Sequence, residues 1–156
     1  MPVKAVIQTV LDAKVTVEGR VTGEIKDGML IYFGVAKDDI IGDVAPFCDK
    51  IAKLRVFKDE KMRMNVNLKD HGGDILLVSQ FTLETDIYGG NRPSMDAAAP
   101  GEKAMEFYIK AKEHFEALGF HVETGEFGAH MLVSYVNDGP ETFVLESRDL
   151  FRKRNA

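Results

Sequence analysis

Short apolar runs separated by polar turns dominate the first third of the chain. Val15 and Val17 alternate with Thr16, which is the two-residue period of a half-buried strand. The pair Asp27-Gly28 divides two further apolar runs and is a strong hairpin signal. The pattern predicts a β-meander in which the first two strands form a hairpin. Its four strands are predicted over residues 3–10, 14–18, 21–25 and 29–35.

Two later stretches repeat apolar residues at intervals of three and four, which is the period of an amphipathic helix. The first helix is predicted over residues 43–54, where Asp43 is placed to cap the N-terminus. The second is predicted over residues 102–118, with Gly119 as its stop. Further strands are predicted over residues 74–80, 121–123, 129–136 and 142–146.

Strands dominate this pattern, and each helix needs one apolar face covered. The economical arrangement lays both helices on one side of a curved mixed sheet, with a second sheet layer on the other side. We therefore predict an α/β (α+β) fold with three layers, β/β/α, in which residues 1–156 form a single domain. A domain of this size buries roughly 68–70% of the surface of its unfolded chain.

A long loop is predicted before the second helix. Residues 84–101 are rich in Gly, Pro, Asn and Ser. Loops longer than about 12 residues are usually functional or disordered. We expect this one to form a lid over the functional site.

Charge and composition restrict the possible partners. A net charge of −5 has the wrong sign for gripping long stretches of nucleic acid, so any such partner must be contacted locally. The basic segment 148–154 could make that contact, although a solvated tail is the commoner meaning of such a run. The longest apolar run is far below the roughly 18 residues of a membrane span. Cys48 is the single cysteine, which indicates a reducing compartment, and we expect a cytoplasmic protein with no membrane partner.

Familiar catalytic patterns are missing. None of the four histidines stands at a spacing that would pair it with another zinc ligand. The sequence has no Gly-x-Ser-x-Gly elbow, and Gly89-Gly90 lacks the continuation of a phosphate-binding loop. We expect no metal and no cofactor.

The first of two candidate segments follows an apolar strand and reads Ser79-Gln80-Phe81-Thr82-Leu83. Gln80 and the hydroxyls of Ser79 and Thr82 could face a substrate. The Phe81 N–H could then point at a developing oxyanion. A polar strand end is the ordinary alternative for such a segment.

The second candidate segment is Asn137-Asp138-Gly139-Pro140, at the predicted end of another strand. A cis Gly139-Pro140 bond would turn successive carbonyl oxygens in a similar direction, and such a pair could receive an ammonium group. The alternative is a surface turn, because only about 5–6% of X–Pro bonds are cis. Together the two segments suggest a hydrolytic site.

Over nearly its whole length the chain resembles the D-aminoacyl-tRNA deacylases. Five matches in the same order carry the resemblance, and together they are highly specific. They are Ser79-Gln80-Phe81-Thr82-Leu83, Asn137-Asp138-Gly139-Pro140, Gly90-Asn91-Arg92-Pro93-Ser94, Gly125-Glu126-Phe127-Gly128-Ala129-His130-Met131, and Lys50-Ile51 with Leu54-Arg55-Val56-Phe57.

The resemblance implies a homodimer that acts on the acceptor end of tRNA. The reaction would be hydrolysis of the ester between a D-amino acid and the 3′-terminal adenosine, with glycine left open as a further substrate. The Gly139-Pro140 bend, cis in that family, would insert into the partner subunit's pocket beside residues 79–82. Its carbonyls would hold the substrate amino group so that an L side chain collides with main chain, which excludes the abundant competitor.

The resemblance also implies the site residues. The Phe81 N–H and Gln80 are expected to polarise the ester, with Ser79 beside them. The 2′-hydroxyl of the RNA is expected to assist the attack of water. Thr82 is expected to be a positioning residue, while its role as a nucleophile stays open.

Five residues are implied in substrate binding: Gly139, Pro140, Phe127, Met131 and Arg92. Phe127 matches a position near the terminal adenine, where stacking is worth about 1–3 kcal/mol, although a core aromatic is an equal alternative. Arg92 is expected near the terminal phosphates, although a solvated loop arginine is more common.

Three positions depart from the family pattern. Thr9 stands where most members carry Arg near the Gly-Pro bend, which leaves open how firmly the bend is held. Glu141 and Glu84 also replace the usual residue types. Two other functions remain as alternatives. One is a related deacylase for a mischarged L-amino acid, with a trans Gly-Pro bond, and the other is a non-catalytic nucleic-acid-binding dimer.

Overall fold

One exceptionally long strand organises the sheet in the computed structural model, which describes residues 2–151. This strand, β1 (Lys4–Val17), has 14 residues. Strands β2 (Arg20–Ile25) and β3 (Gly28–Gly34) both pair with it in antiparallel fashion. β2 pairs with the second half of β1 and β3 with the first half. The register runs on from Ala13↔Ile25 to Val10↔Gly28, so both strands lie along the same edge of β1.

The hairpin predicted between residues 3–10 and 14–18 is wrong, because β1 runs unbroken through both. Ala13, which lies between the two ranges, is buried and pairs with β2. The chain reverses instead at Glu18 and Gly19, which have φ angles of 49° and 80°. The predicted meander is wrong as well, because β2 and β3 run in the same direction along β1 and the chain does not reverse at Asp27-Gly28.

The first predicted helix is confirmed as α1 (Val44–Lys53). Asp43 makes no side-chain cap, because it is itself in the helical conformation and ends a preceding 3-10 turn. A short antiparallel pair follows, β4 (Phe57–Lys58) and β5 (Met64–Val66), and then the single turn of α2 (Leu68–His71). These three elements are too short to show a period, and the sequence pattern missed them.

The second half adds two parallel strands around the second predicted helix. β6 (Asp74–Ser79) pairs with β3, and β7 (Val122–Thr124) pairs with β6. Between them lies α3 (Gly101–Ala117), which is followed by Gly119 with a φ of 99°, as the sequence predicted. Within residues 2–151, no helix is both long and apolar enough to cross a membrane.

The last two strands predicted from sequence are a single strand, β8 (Leu132–Glu146), on the other edge of β1. Gln8 pairs with Thr142 and Val10 pairs with Asn137, so two residues along β1 correspond to five along β8. The extra residues form a bulge that contains Gly139 and Pro140. This segment therefore lies inside a long strand and not at the end of one.

The sheet curves until β2 approaches β7. A Cβ on Gly23 would lie only 2.3 Å from the Thr124 carbonyl oxygen, so glycine permits this closure. One core fills the inside of the curved sheet, and another separates the sheet from α1 and α3. The helices pack together on one side of the strands, which confirms the predicted fold class.

Candidate functional site

A cavity of about 400 Å³ opens where β6 ends. One wall is formed by Ser79, Gln80 and Phe81, directly after the buried part of β6. The facing wall comes from the segment between β7 and β8 and includes Phe127 and Met131. The structure thus brings together five of the predicted site residues from two distant parts of the chain.

The sequence analysis missed several other residues of the cavity wall. They come from the region around the end of β3, the region around the start of α3, the segment before β8 and the start of β8: Phe33, Gly34, Val35, Ala99, Gly101, Ala104, Gly128, Ala129, His130 and Val133. Gly34 carried a usable signal, because a glycine at the end of an apolar strand often marks a close backbone approach. A Cβ there would lie 2.8 Å from the Gln80 carbonyl oxygen.

The segment after β6 is held in a tight turn. The Gln80 N–H donates to the Phe33 carbonyl oxygen at 2.8 Å, which fixes the strand end against β3. A 3-10 helix, Phe81–Glu84, begins at once. The first N–H groups of a helix have no partner within that helix. The Phe81 N–H is therefore a donor at the wall of the cavity.

The Gln80 amide is oriented by its neighbour. Thr82 Oγ1 donates to Gln80 Oε1 at 2.6 Å, and Thr85 Oγ1 in turn donates to the Thr82 carbonyl oxygen. With its oxygen engaged, the Gln80 amide keeps its two N–H donors for another group. Thr82 itself is not part of the cavity wall. The arrangement presents donors suited to a carbonyl oxygen.

Acid-base groups are sparse around this cavity. Of the described residues that form its wall, His130 alone has an ionisable side chain. Within residues 2–151, no three His, Cys, Asp or Glu side chains lie close enough to hold a metal ion. The geometry supplies hydrogen-bond donors without a nucleophile and base in contact.

Phe127 belongs both to the cavity wall and to a core contact. Its ring centroid lies 5.9 Å from that of Tyr108 on α3, with the rings tilted by 44°. Tyr108 donates from its hydroxyl to the Leu77 carbonyl oxygen of β6 at 2.6 Å, and burial raises its pKa. This chain of contacts fixes Phe127 relative to the strand that carries the donors.

Gly139 and Pro140 lie exposed and away from the cavity wall of their own chain. Their peptide bond is cis. The buried Thr9 donates from Oγ1 to the Asp138 carbonyl oxygen at 2.8 Å. Asn137 Nδ2 donates to the carbonyl oxygens of Thr9 and Glu141, both at 3.0 Å. The bulge is thus fastened to β1 by side chains on both strands.

The predicted lid is wrong. Asp86 and Ser94 exchange backbone hydrogen bonds at 2.9 and 2.8 Å, which folds the loop onto itself. Of the predicted loop 84–101, only Ala99 and Gly101 at its C-terminal end form part of the cavity wall. Arg92, at the exposed tip of this loop, does not reach it.

Only part of the predicted basic tail can be described. Arg148 pairs with Glu146, with Nε and Oε2 2.6 Å apart. Arg152, Lys153 and Arg154 lie outside the described residues.

Comparison with known proteins gives one consistent family. Residues 6–146 match the family model described as D-Tyr-tRNA(Tyr) deacylase. Proteins named D-aminoacyl-tRNA deacylase from Thermosipho africanus and Kosmotoga olearia are 47% and 48% identical to this chain. Each match covers 95% of this chain and 99% of the relative.

Two solved structures share the fold. The c-Myc DNA Unwinding Element Binding Protein has a TM-score of 0.85 and 37% identity, covering 92% of this chain and 97% of its own. A protein described as a probable eukaryotic D-amino acid tRNA deacylase has a TM-score of 0.73, with coverages of 94% and 100%. At 14% identity, the second likeness supports the fold alone.

Proposed function

The chain belongs to the D-Tyr-tRNA(Tyr) deacylase family, and on that premise we propose that it hydrolyses the ester between a D-amino acid and the 3′-terminal adenosine of tRNA. The observation that carries the proposal is a cavity whose wall, among the described residues, holds the donors of Gln80 and Phe81 but no nucleophile-base pair. An aminoacyl ester is already reactive, so it does not need a strong protein nucleophile. Donors to a developing oxyanion are worth about 10²–10³ in rate, and positioning adds to this.

Two donors would polarise the ester carbonyl: the Phe81 N–H and the Gln80 side-chain amide. Ser79 would contact the substrate from the same wall. Thr82 acts through Gln80, because its hydroxyl proton is engaged by Gln80 Oε1. A hydroxyl that donates to an amide oxygen has no base to activate it, which argues for a positioning role and against a nucleophile.

The facing wall would hold the end of the RNA. Phe127 and Met131 offer an apolar surface for the terminal adenine, and stacking on an aromatic ring is worth about 1–3 kcal/mol. Arg92, which is exposed on the neighbouring loop, would approach the terminal phosphates.

A homodimer would complete the site. Among residues 2–151, β8 pairs along one edge only, with β1, and its exposed apolar side chains include Leu132, Val136 and Val144. An open apolar edge of this kind favours association with a second copy. The bulge of one protomer would then enter the cavity of its partner. There the Gly139 and Pro140 backbone would hold the amino group and exclude L side chains, while glycine, which lacks a side chain, would be accepted.

Matched D- and L-tyrosyl-tRNA test this proposal. We expect the D ester to be hydrolysed faster by about 10²-fold or more, because the rejection of the L form is steric. Gln80→Ala should lower kcat by about 10², since it removes one oxyanion donor. Preferential turnover of the L ester would identify an L-editing deacylase instead.

A second candidate is a non-catalytic nucleic-acid-binding dimer. The observation that favours it is the name of the DNA unwinding element binding protein, a structure 37% identical to this chain. The same assay separates the two functions, because a purely binding protein would turn over neither ester.

Thr9→Val tests how the bulge is held. The change removes the 2.8 Å hydrogen bond to Asp138 but keeps the side-chain volume. We expect the free energy of unfolding to fall by only about 0.5–1.5 kcal/mol, while the preference for D over L esters becomes smaller. The ratio of the two kcat/KM values measures this. Thr16→Val makes the same change about 20 Å further along β1, at 3.3 Å per residue, and should leave the ratio unaltered.

A further inference from the structure

Residues 50–69 form a strongly basic segment on an acidic protein. They hold seven lysines and arginines against two carboxylates, a net charge of +5, whereas the whole chain carries −5. Six of the seven cations are exposed: Lys50, Lys53, Arg55, Lys61, Arg63 and Lys69. None of the ion pairs between described residues involves these six. Uncompensated charge of this kind produces a local positive potential.

The middle of this segment is held in a fixed shape. Asp59 Oδ1 accepts from the backbone N–H groups of Lys61 and Arg63 at 2.9 and 3.0 Å, which closes the turn between β4 and β5. These bonds lower the pKa of Asp59, the Arg63 N–H contributing most. Arg55 Nη1 donates to Asn65 Oδ1 at 2.9 Å across the hairpin. The hairpin therefore keeps its cations outward on an ordered backbone.

The two ends of the segment meet. Lys53 at the end of α1 and Lys69 in α2 both border one cleft of about 160 Å³, together with Asn67. The cations at the ends of the segment are thus brought near each other by the fold, and Arg55 follows Lys53 by only two residues. We call the seven cations of residues 50–69 the basic surface.

One ion pair places the basic surface beside the bulge of β8. Lys58, the seventh cation, lies 3.2 Å from Glu141 Oε1 through its Nζ. Glu141 directly follows Pro140. The hairpin is therefore in direct contact with the segment that, in the proposed function, meets the aminoacyl ester.

We propose that the basic surface binds the phosphate backbone of the tRNA acceptor arm. The inference rests on the proposed function, which puts the 3′ end of the RNA against the bulge. From there the RNA backbone would continue past the hairpin. The planar guanidinium group of arginine can donate two parallel hydrogen bonds to phosphate oxygens. Such contacts position the RNA without reading its sequence. They also account for how a chain of net charge −5 attracts a polyanion, through one region of opposite sign.

The test compares two triple variants with the same change in charge. Lys53→Gln, Arg55→Gln and Arg63→Gln remove three cations of the basic surface. Lys26→Gln, Lys37→Gln and Lys110→Gln remove three exposed cations elsewhere. Binding of uncharged tRNA is measured over a series of salt concentrations. A plot of the logarithm of the binding constant against the logarithm of the salt concentration has a negative slope. For the first variant, this slope should become less steep by about 2–3, since each lost phosphate contact removes about 0.9. The second variant should match the wild type.

Hydrolysis of two substrates completes the test. D-Tyrosyl-tRNA carries the phosphates and D-tyrosyl-adenosine does not. The basic-surface variant should lose about 10-fold or more in kcat/KM for the first and nothing for the second, because only the first makes phosphate contacts.

Three results would overturn the inference. Equal tRNA binding by the two triple variants is one. Another is an equal loss on D-tyrosyl-adenosine, which would mean that the segment supports the cavity and not the RNA. In a third, the basic-surface variant would lose binding of polyglutamate while its tRNA binding stayed intact. That result would assign the surface to an acidic protein. If the wild type hydrolysed neither substrate, the proposed function would fail, while the tRNA-binding comparison would still decide the role of the surface.

Discussion

Gly139→Ala is expected to lower deacylation of D-tyrosyl-tRNA by about 10²-fold or more. Gly139 has a φ of 128°, which side chains rarely allow, and an added Cβ would lie 2.8 Å from the Glu141 backbone nitrogen. The bulge must therefore shift, and a displacement of about 1 Å at a positioning element costs that much rate. Steady-state kinetics with the D ester measures the loss.

Gly19→Ala is the matched control for this variant. Gly19 also has a positive φ, of 80°, but a Cβ there would meet nothing within 4 Å. It should carry a backbone penalty of about 1–2 kcal/mol without moving the bulge, so its activity should stay near that of the wild type. Equal activity losses in the two variants would mean that Gly139 acts through stability alone.

Mixing two inactive proteins shows which subunit supplies the bulge. Heterodimers of Gly139→Ala and Gln80→Ala would contain one intact cavity facing one intact bulge. With random exchange, half of the dimers are mixed, so about one quarter of wild-type activity should return. If each bulge served the cavity of its own chain, no intact site would form and no activity would return.

The sequence predicts a part of the cavity wall correctly where that part is formed by one strand and the residues directly after it. Ser79, Gln80 and Phe81 line the cavity because they directly follow a buried strand, and that relation lies within a few residues. The periods of α1 and α3 were equally local, and their bounds differ from the predicted ones by a single residue at each end.

Pairing between distant segments could not be read in this way. Leu11 and Asp12 are consecutive exposed residues and resemble a turn, yet β1 continues through them because β8 and β2 pair along its edges. The turn-like residues around Gly139 likewise became a bulge because both flanks of β8 pair with the same strand. The bond from Thr9 to Asp138 spans 129 positions, and no local pattern reports it.

The basic surface was missed for a different reason. Its cations are spread over α1, β4, α2 and the segments that connect them, and both β4 and α2 are too short to be predicted. The whole-chain charge of −5 conceals a region of +5 within it. Folding decides whether such charges are scattered or adjacent, and here Lys53 and Lys69 come to border one cleft.

Removing the 2′-hydroxyl from the terminal adenosine of the substrate is expected to slow hydrolysis by about 10²-fold or more, because general acid-base assistance contributes about 10²–10⁴. The proposed reaction needs a group that orients and deprotonates the water attacking the ester carbonyl carbon. The proton finally resides on the 3′-oxygen as that bond breaks. Among the described residues of the cavity wall, only His130 has an ionisable side chain, and that side chain is exposed. The substrate hydroxyl beside the ester is therefore the group best placed to assist.

His130→Gln supplies the protein-side comparison for this experiment. If the RNA hydroxyl assists, this variant should retain kcat within about threefold of the wild type. Because the 2′-hydroxyl also activates the ester chemically, each enzymatic rate is divided by the spontaneous rate of the same substrate. Two results together would assign the role of base to the protein and not to the RNA. They are an undiminished ratio of enzymatic to spontaneous rate for the 2′-deoxy substrate and a large loss of kcat in His130→Gln.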